Sequence, residues 1–427
     1  MQSKVVVVGG GPAGLMAAED LARAGLAVTV YDRMPTLGRK LLIAGRGGLN
    51  LTHGEPLDTF LSRYADATPW LTPLIRGFPP EQLRAWAEGL GQETFVGSSG
   101  RVFPRAMKAS PLLRAWLARL AGLGVTFRTR HRWVGFDPSG ALRFETGSPP
   151  ETITVPADAV VLALGGASWP RLGSDGAWTA ILAADGVAIT PLAASNTGVL
   201  IDWSPAVRER FAGLPLKRIA ATIGDVTVRG EAVITARGLE GGAIYGLSAA
   251  LRAALAETGT ATLTLDLRPD LTTAALADRL ARSPAKQSLA SRLAKAARLS
   301  PAQAAALREG APAGGLPREP LALATAIKAS PLRITGLAGL DRAISTAGGI
   351  RRDSVDGSLM LEARPGVFVA GEMLDWDAPT GGYLLQASFA TGRRAAEGVC
   401  AWLGHAIPPP HTAPADEPEP NTPAAAD

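Results

Sequence analysis

Apolar positions along the chain fall into short β-branched blocks and longer stretches with helical spacing. Val5–Val8 is an unbroken apolar block, the pattern of a strand buried on both faces of a parallel sheet. Helical spacing follows from Pro12 to Ala24, and Gly25 offers a left-handed cap. Ala27–Tyr31 then predicts a second strand, closed by Asp32. Strand, glycine pair and helix recur at Ala159–Leu164 with Gly165–Gly166. They recur again at Val367–Ala370 with Gly371–Glu372, followed by a long helix after Gly381–Gly382. Between these blocks Pro191–Asp202, Arg218–Val228 and Thr260–Leu267 alternate or are β-rich, predicting a small barrel-like sheet. Ala/Leu/Arg spacing from Thr272 to Glu309 predicts helices, one opened by the capping box Ser300-Pro301-Ala302-Gln303.

The first turn carries chemistry. Gly9, Gly11 and Gly14 form G-x-G-x-x-G between strand and helix. Gly9 allows the tight turn, Gly11 a close approach of backbone to a pyrophosphate, and Gly14 close packing of helix on strand. Pro12 suits the first helical turn, beside Ala13, and the helix dipole faces the phosphates. Asp32, with Arg33 after it, is placed to accept hydrogen bonds from a ribose. This unit alone does not separate NAD from FAD, since both contain an ADP half.

Three further features favour the flavin. The segment 33–53 brings Arg39, Lys40, Gly47, Gly48, Asn50 and Leu51 back beneath an extended cofactor. Ala163 and Gly165 end one strand, and Gly371 and Glu372 end another. The helix opened by Gly381, Gly382, Tyr383 and Leu384 would turn its positive end toward the ring edge that gains charge on reduction. Trp133 and Val134, in a strand expected over 125–136, are candidates to contact the adenine. No second G-x-G-x-x-G follows, so NAD(P)H is expected only as a transient donor that visits the flavin directly. Tyr383 is the one candidate proton donor; Glu372 is expected to bond the ribityl chain, and His53 to cap or face solvent. Arg105, Trp169, Arg171 and Trp376 are candidates for the substrate pocket.

Composition narrows the rest. The chain has 427 residues, 47% of them hydrophobic, enough for two or three domains. Net charge is +5. The segment from 405 onward holds four acids and no Lys or Arg, so the body before it carries +9. That surplus would attract an anion, RNA included, but only seven of the basic residues are Lys and a compositional bias toward Arg accounts for it at least as well, so a nucleic-acid partner is not expected. One cysteine, Cys400, excludes disulfides and thiolate clusters, and four histidines lack zinc-ligand spacing, so no metal is expected. With no signal-like start and no apolar run of about 18 residues, a soluble cytoplasmic protein is expected, without a membrane or obligate protein partner.

"GGGPAGLMAAE", "GRKLLIAGRGGLNLTH", "GRVFPRAMKAS", "GGASWPRLGSDG", "STAGGI" and "AGEMLDWDAPTGGYLLQASFATG" resemble, block by block, a bacterial family of NAD(P)/FAD-dependent oxidoreductases, the BaiN-like or aminoacetone-oxidase-like flavoproteins. The resemblance runs to about Trp402. It implies an α/β fold: a Rossmann-like FAD-binding domain, three-layer with a parallel sheet, interrupted by an inserted β-barrel-like and helical region. The expected domains are 1–190 plus 348–404 for FAD, 191–347 for the insertion (helical over about 272–310), and a disordered Pro/Ala/acidic tail over 405–427. The family carries Cys-Asn where this chain has Leu49–Asn50, and Gly-Gly-Tyr-Asn at 381–384, where this chain ends in Leu384. Thiol chemistry at Leu49 is therefore excluded. The leading reading is an oxidoreductase acting on a small organic molecule by hydride transfer at the flavin. An FAD-dependent RNA-modifying enzyme and a flavin-binding redox sensor or interaction protein are the alternatives.

Overall fold

A computed structural model of the chain describes residues 2–284 and 286–409. It divides into two compact units: residues 1–165, 176–190 and from 348 on form the first, and 166–175 with 191–347 the second. The segment 166–175 was expected with the FAD-binding domain and is reassigned to the second unit. Thr346 Oγ1 accepts from the N–H groups of Ala167 (2.9 Å) and Ser168 (3.1 Å), and Trp169 N–H donates to the Leu340 carbonyl. A hydroxyl 179 residues away in sequence thus holds the loop.

The first unit is built on five parallel strands: β1 (Lys4–Val8), β2 (Ala27–Asp32), β3 (Thr126–Thr129), β4 (Ala159–Leu162) and β5 (Val367–Val369). Their order is β5-β4-β1-β2-β3. The apolar blocks occupy the centre, where β4 is buried along its whole length and β1 at all but its first residue. Helices α1 (Pro12–Arg23), α2 (Ala109–Gly122) and α3 (Tyr383–Leu403) belong to this unit. The helices α1 and α3 touch backbone to backbone, for a Cβ on Gly392 would lie 2.3 Å from the Ala13 carbonyl oxygen. Glu19 of α1 is fully buried, with Trp86 Nε1 (3.0 Å), Trp116 Nε1 (2.7 Å) and Arg119 Nη1 (3.0 Å) donating to it.

The strand expected over 125–136 is two strands. Arg130, at φ +61°, breaks it. β3 stays in the parallel sheet, while Arg132–Phe136 joins Leu142–Thr146 and Glu151–Val155 in a separate antiparallel sheet. Phe144 of that sheet stacks on Tyr31 of β2 at 4.3 Å. Of the expected tail, 405–409 is ordered against α1 and α3: His405 N–H donates to the Cys400 carbonyl, and the Pro408 and Pro409 carbonyls accept from Arg393 and Arg23. The remainder of the tail lies outside the described residues.

The second unit has a seven-stranded antiparallel sheet ordered 330–334, 261–266, 215–223, 226–235, 238–240, 199–200, 336–337. The two edge strands are separated by residue 335 alone, so the sheet must curl until its edges come together, which makes it barrel-like. Helices Ser248–Thr258, Thr273–Ala281, Leu289–Lys295, Pro301–Glu309 and Pro320–Lys328 accompany it. The capping box is present as read, Gln303 N–H donating to Ser300 Oγ and Gln303 Oε1 accepting from Ser300 N–H. Pro320–Lys328 was not expected; its Glu319 cap accepts from the N–H groups of Leu321 and Ala322.

Candidate functional site

The glycine-rich turn joins β1 to α1, and its three glycines have different reasons. Gly9 has φ +110°, and a Cβ there would lie 2.1 Å from the Ala163 carbonyl oxygen at the end of β4. A Cβ on Gly14 would lie 2.0 Å from the Gly9 carbonyl oxygen. Packing alone demands both. A Cβ on Gly11 would meet nothing within 4 Å, and its backbone is extended. Gly11 is the N-cap of α1, followed by Pro12 and Ala13, with no side-chain cap and no acid in the first turn. The positive end of α1 therefore opens onto free space, the geometry that receives a pyrophosphate.

Asp32 is fixed beside that turn. Its Oδ2 accepts from Gly10 N–H at 2.8 Å and its Oδ1 from Met34 N–H at 2.7 Å. Burial pushes its carboxyl up, against those two bonds and the charges of Arg33 and Arg39. Each oxygen keeps acceptor capacity for a hydroxyl. Downstream, Gly38 at φ +64° starts the short helix Arg39–Ala44. Arg39 donates through Nη1 to Thr36 Oγ1, while its Nε is buried without a partner. Lys40 Nζ bonds Glu372 Oε2 at 2.7 Å, tying this loop to the segment after β5. A Cβ on Gly47 would meet nothing within 4 Å, whereas at Gly48 it would strike Met107. Asn50 Nδ2 donates to the carbonyls of Thr52 and Val102, leaving Oδ1 buried and unpartnered. Leu51 is fully buried.

Trp133 is buried with Nε1 unpartnered, and the ladder bulges between it and Gly135, across Val134. The Gly165 carbonyl accepts from Trp178 Nε1. Gly371, at φ +78°, is held from both sides: its N–H donates to Thr391 Oγ1 and its carbonyl accepts from Trp376 Nε1, each at 3.0 Å. Gly381 and Gly382 have φ +139° and +98°, and a Cβ on Gly382 would lie 2.5 Å from the Thr52 backbone. As at α1, the start of α3, with Tyr383 and Leu384, has neither a side-chain cap nor an acid in its first turn.

A network that sequence reasoning missed fixes that helix start. Tyr64 Oη–H donates to the Tyr383 carbonyl (2.8 Å), Thr52 Oγ1–H to Gln386 Oε1 (2.7 Å), and Gln386 Nε2 to the Phe78 carbonyl (2.6 Å). Tyr383 Oη–H donates to Glu55 Oε1 at 2.6 Å, and Arg63 grips both oxygens of Glu55, at 3.1 and 2.7 Å. His53 stacks on Tyr383, accepts from Glu55 N–H through Nδ1, and has Nε2 3.1 Å from the Ser99 carbonyl oxygen. Burial, then the bonded carboxylate of Glu55, push the Tyr383 hydroxyl well above the ordinary tyrosine range. Burial raises Glu55 as well, but the bonds from Arg63 and Tyr383 outweigh it and hold Glu55 below the usual range. Tyr383 is thus a clamped donor whose hydroxyl proton is held on Glu55. Only its aromatic character and its place after two glycines were visible in the sequence.

Of the four pocket candidates two fall in each unit. Arg105 pairs with Glu93 at 2.7 Å on the surface, both side chains at least 70% exposed. Trp376 is buried beneath Gly371, supporting that turn instead of lining an open wall. Trp169 and Arg171 belong to the second unit, with the Arg171 guanidinium 5.0 Å over the Trp169 ring. Among the described residues no three His, Cys, Asp or Glu converge on a metal site, and no helix is long and apolar enough to cross a membrane.

In the first unit, then, two helices start at glycines with neither a side-chain cap nor an acid in the first turn, the α1 start facing free space, and Arg39 Nε, Asn50 Oδ1 and Trp133 Nε1 are buried without a partner. A long, anionic, hydrogen-bonding dinucleotide such as FAD fits that set. The family described as HI0933-like protein Rossmann domain matches residues 3–398. The 3-dehydro-bile acid delta(4,6)-reductase of Clostridium scindens is 27% identical over 406 residues, 91% of this chain and 97% of that protein. The ribosomal RNA dihydrouridine synthase of Haemophilus influenzae is 43% identical over 53 residues, 12% of this chain and 13% of that protein. Among solved structures, the 3-ketosteroid delta1-dehydrogenase of Sterolibacterium denitrificans is 14% identical with a TM-score of 0.49, covering 94% of this chain and all of that one. The chain belongs to the HI0933-like Rossmann family, and it is an FAD-dependent oxidoreductase.

Proposed function

We propose that this HI0933-like oxidoreductase reduces an activated carbon–carbon double bond of a small organic molecule, with NAD(P)H as the electron donor. The observation that carries the reading is the pair of glycine-led helix starts, Gly11 before α1 and Gly382 before α3, each without a side-chain cap or a first-turn acid. When bound, FAD supplies the hydride chemistry. The Gly9–Gly14 turn would hold its pyrophosphate, with Asp32 on the ribose and Asn50 and Trp133 offering their unfilled atoms along its length. Lys40 would steady Glu372, and the end of α3 would favour the added negative charge of the reduced ring. The clamp of Glu55 and Arg63 on Tyr383 keeps that helix end in place and its hydroxyl protonated. Support for a double-bond substrate comes from the reductase relative that matches almost end to end.

A second reading, reduction of a pyrimidine base in RNA, is supported by the short match to the dihydrouridine synthase. Its chemistry is alike, because the uracil double bond is also conjugated to a carbonyl. Anaerobic titration of the holoprotein with NADH and NADPH tests the leading reading. The flavin band should bleach with one of them and return when a conjugated enone is added. A band that bleaches with neither would sink the nicotinamide half. A reduced band that reoxidises only with oxygen would sink the double-bond half.

A further inference from the structure

We propose that Arg218, Arg268, Arg279 and Arg298 of the second unit form a binding platform for the phosphates of a single nucleic-acid strand.

Three separate segments are stitched together at this point by one side chain. Gln303 Nε2 donates to the Lys217 carbonyl (3.1 Å) and the Leu267 carbonyl (3.5 Å), while its Oε1 accepts from Ser300 N–H. Arg218 follows Lys217, Arg268 follows Leu267, and Arg298 lies two residues before Ser300. Arg268 Nη1 donates to the Arg298 carbonyl at 3.2 Å. Arg279, on the helix Thr273–Ala281, is near enough for its charge, with those of Arg218 and Arg298, to act on Arg268. Burial, and then these three like charges, press the Arg268 guanidinium below its ordinary range. An anion seated among them relieves that repulsion.

Two of the four sit where an arginine is strained. Arg218 has φ +51°, beside the bulge between Leu216 and Ile219, and Arg298 has φ +53°. In that left-handed region a side chain beyond glycine is disfavoured. A general excess of arginine would not select such positions, whereas a use for the side chain would. Of the nearby acids, Asp266 accepts from Lys328 Nζ at 2.6 Å, and Asp270, 3.6 Å from Arg229 Nη1, offsets the repulsion on Arg268 only in part. Among the described residues Arg218, Arg268, Arg279 and Arg298 form no ion pair.

Arg218, Arg279 and Arg298 are exposed, and only Arg268 is half-buried. Exposed charges from several segments, without enclosing walls, suit an extended polyanion better than one small phosphate. The inference concerns binding, and rests on neither the donor nor the reaction at the flavin.

The test uses the full holoprotein, a fluorescent single-stranded RNA of about twenty nucleotides, and anisotropy across a salt series. The variant is R218G/R279Q/R298G. Glycine accepts φ > 0 freely, so this protein should keep its flavin spectrum and melt no lower than the parent. Its RNA affinity at low salt should fall at least about tenfold, and the slope of log K against log salt should flatten by about 2, near 0.7 per lost phosphate contact on a single strand. The matched triple R114Q/R143Q/R351Q, all in the first unit, should keep the parental slope. Parental protein that does not bind RNA, or an R218G/R279Q/R298G variant with parental affinity and slope, overturns the proposal. Inorganic triphosphate displacing the RNA at equal concentration overturns the strand in favour of a small phosphate ligand.

Discussion

Replacing Gly11 and Gly14 by alanine, one at a time, separates the two demands that the glycine-rich turn meets. At Gly14 the new methyl would lie 2.0 Å from the Gly9 carbonyl oxygen and 3.2 Å from Ala163 Cβ. The turn or α1 must shift, and overpacking of this kind costs about 1–3 kcal/mol. At Gly11 the methyl meets nothing, and the backbone is one that alanine adopts. The only folding cost there is that of a poorer N-cap, at most about 1 kcal/mol. For a unit of this size each kcal/mol lowers Tm by roughly 2–4 °C. Apo G11A should therefore melt within about 4 °C of the parent, and G14A lower still. For the cofactor the order reverses in diagnostic value. A methyl over the open helix end keeps the pyrophosphate from the N–H groups, and two charge-assisted hydrogen bonds at about 1.5–3 kcal/mol each amount to at least about a hundredfold in Kd. Titrating FAD into apoprotein and following the quench of its fluorescence gives Kd directly. Gly11→Ala with parental stability and parental FAD affinity would refute the assignment of this turn to the pyrophosphate.

Other substitutions probe the supports of the site. Glu19→Ala strands two indole N–H groups and the Arg119 guanidinium against a buried cavity; it should cost at least about 3 kcal/mol, read as a loss of roughly 6 °C or more in Tm. Tyr383→Phe should keep the fold and shift the flavin reduction potential or spectrum only slightly, since the hydroxyl is committed to Glu55; a fall of several orders of magnitude in turnover would instead restore Tyr383 as the catalytic acid. Because Glu55 titrates below its unfolded value, its contribution to stability is fully present above the unfolded carboxyl pKa, near 4.3, and is lost as pH falls through the lower folded value. Glu55→Gln should flatten the acid limb of Tm against pH and leave the neutral plateau merely lowered; an unchanged acid limb would show that another carboxylate controls it.

The fold of the glycine-rich turn was readable and the surroundings of the pocket candidates were not, and the difference lies in the range of the constraints. Gly9 and Gly14 obstruct one another within a single turn, so the local sequence carries their rule, and Asp32 follows from the length of one helix and one strand. The features that local sequence did not show depend on partners far along the chain. The loop 166–175 follows Thr346, 179 residues on, and the Tyr383 hydroxyl meets Glu55, 328 residues away. Neither partner bears a mark in its own neighbourhood. Arg130 breaks a stretch whose composition is continuous strand, because the next residues pair in a different sheet. The curled sheet was legible only as alternation; that residues 330–337 supply both of its edges is something no periodicity encodes. A dinucleotide is bound largely by backbone, at turns whose glycines are dictated locally, and so it leaves a sequence signature. A substrate pocket is assembled from side chains on separate segments. It leaves none until the fold is known, which is why Trp376, chosen from its position in a conspicuous motif, proved to be a support beneath Gly371.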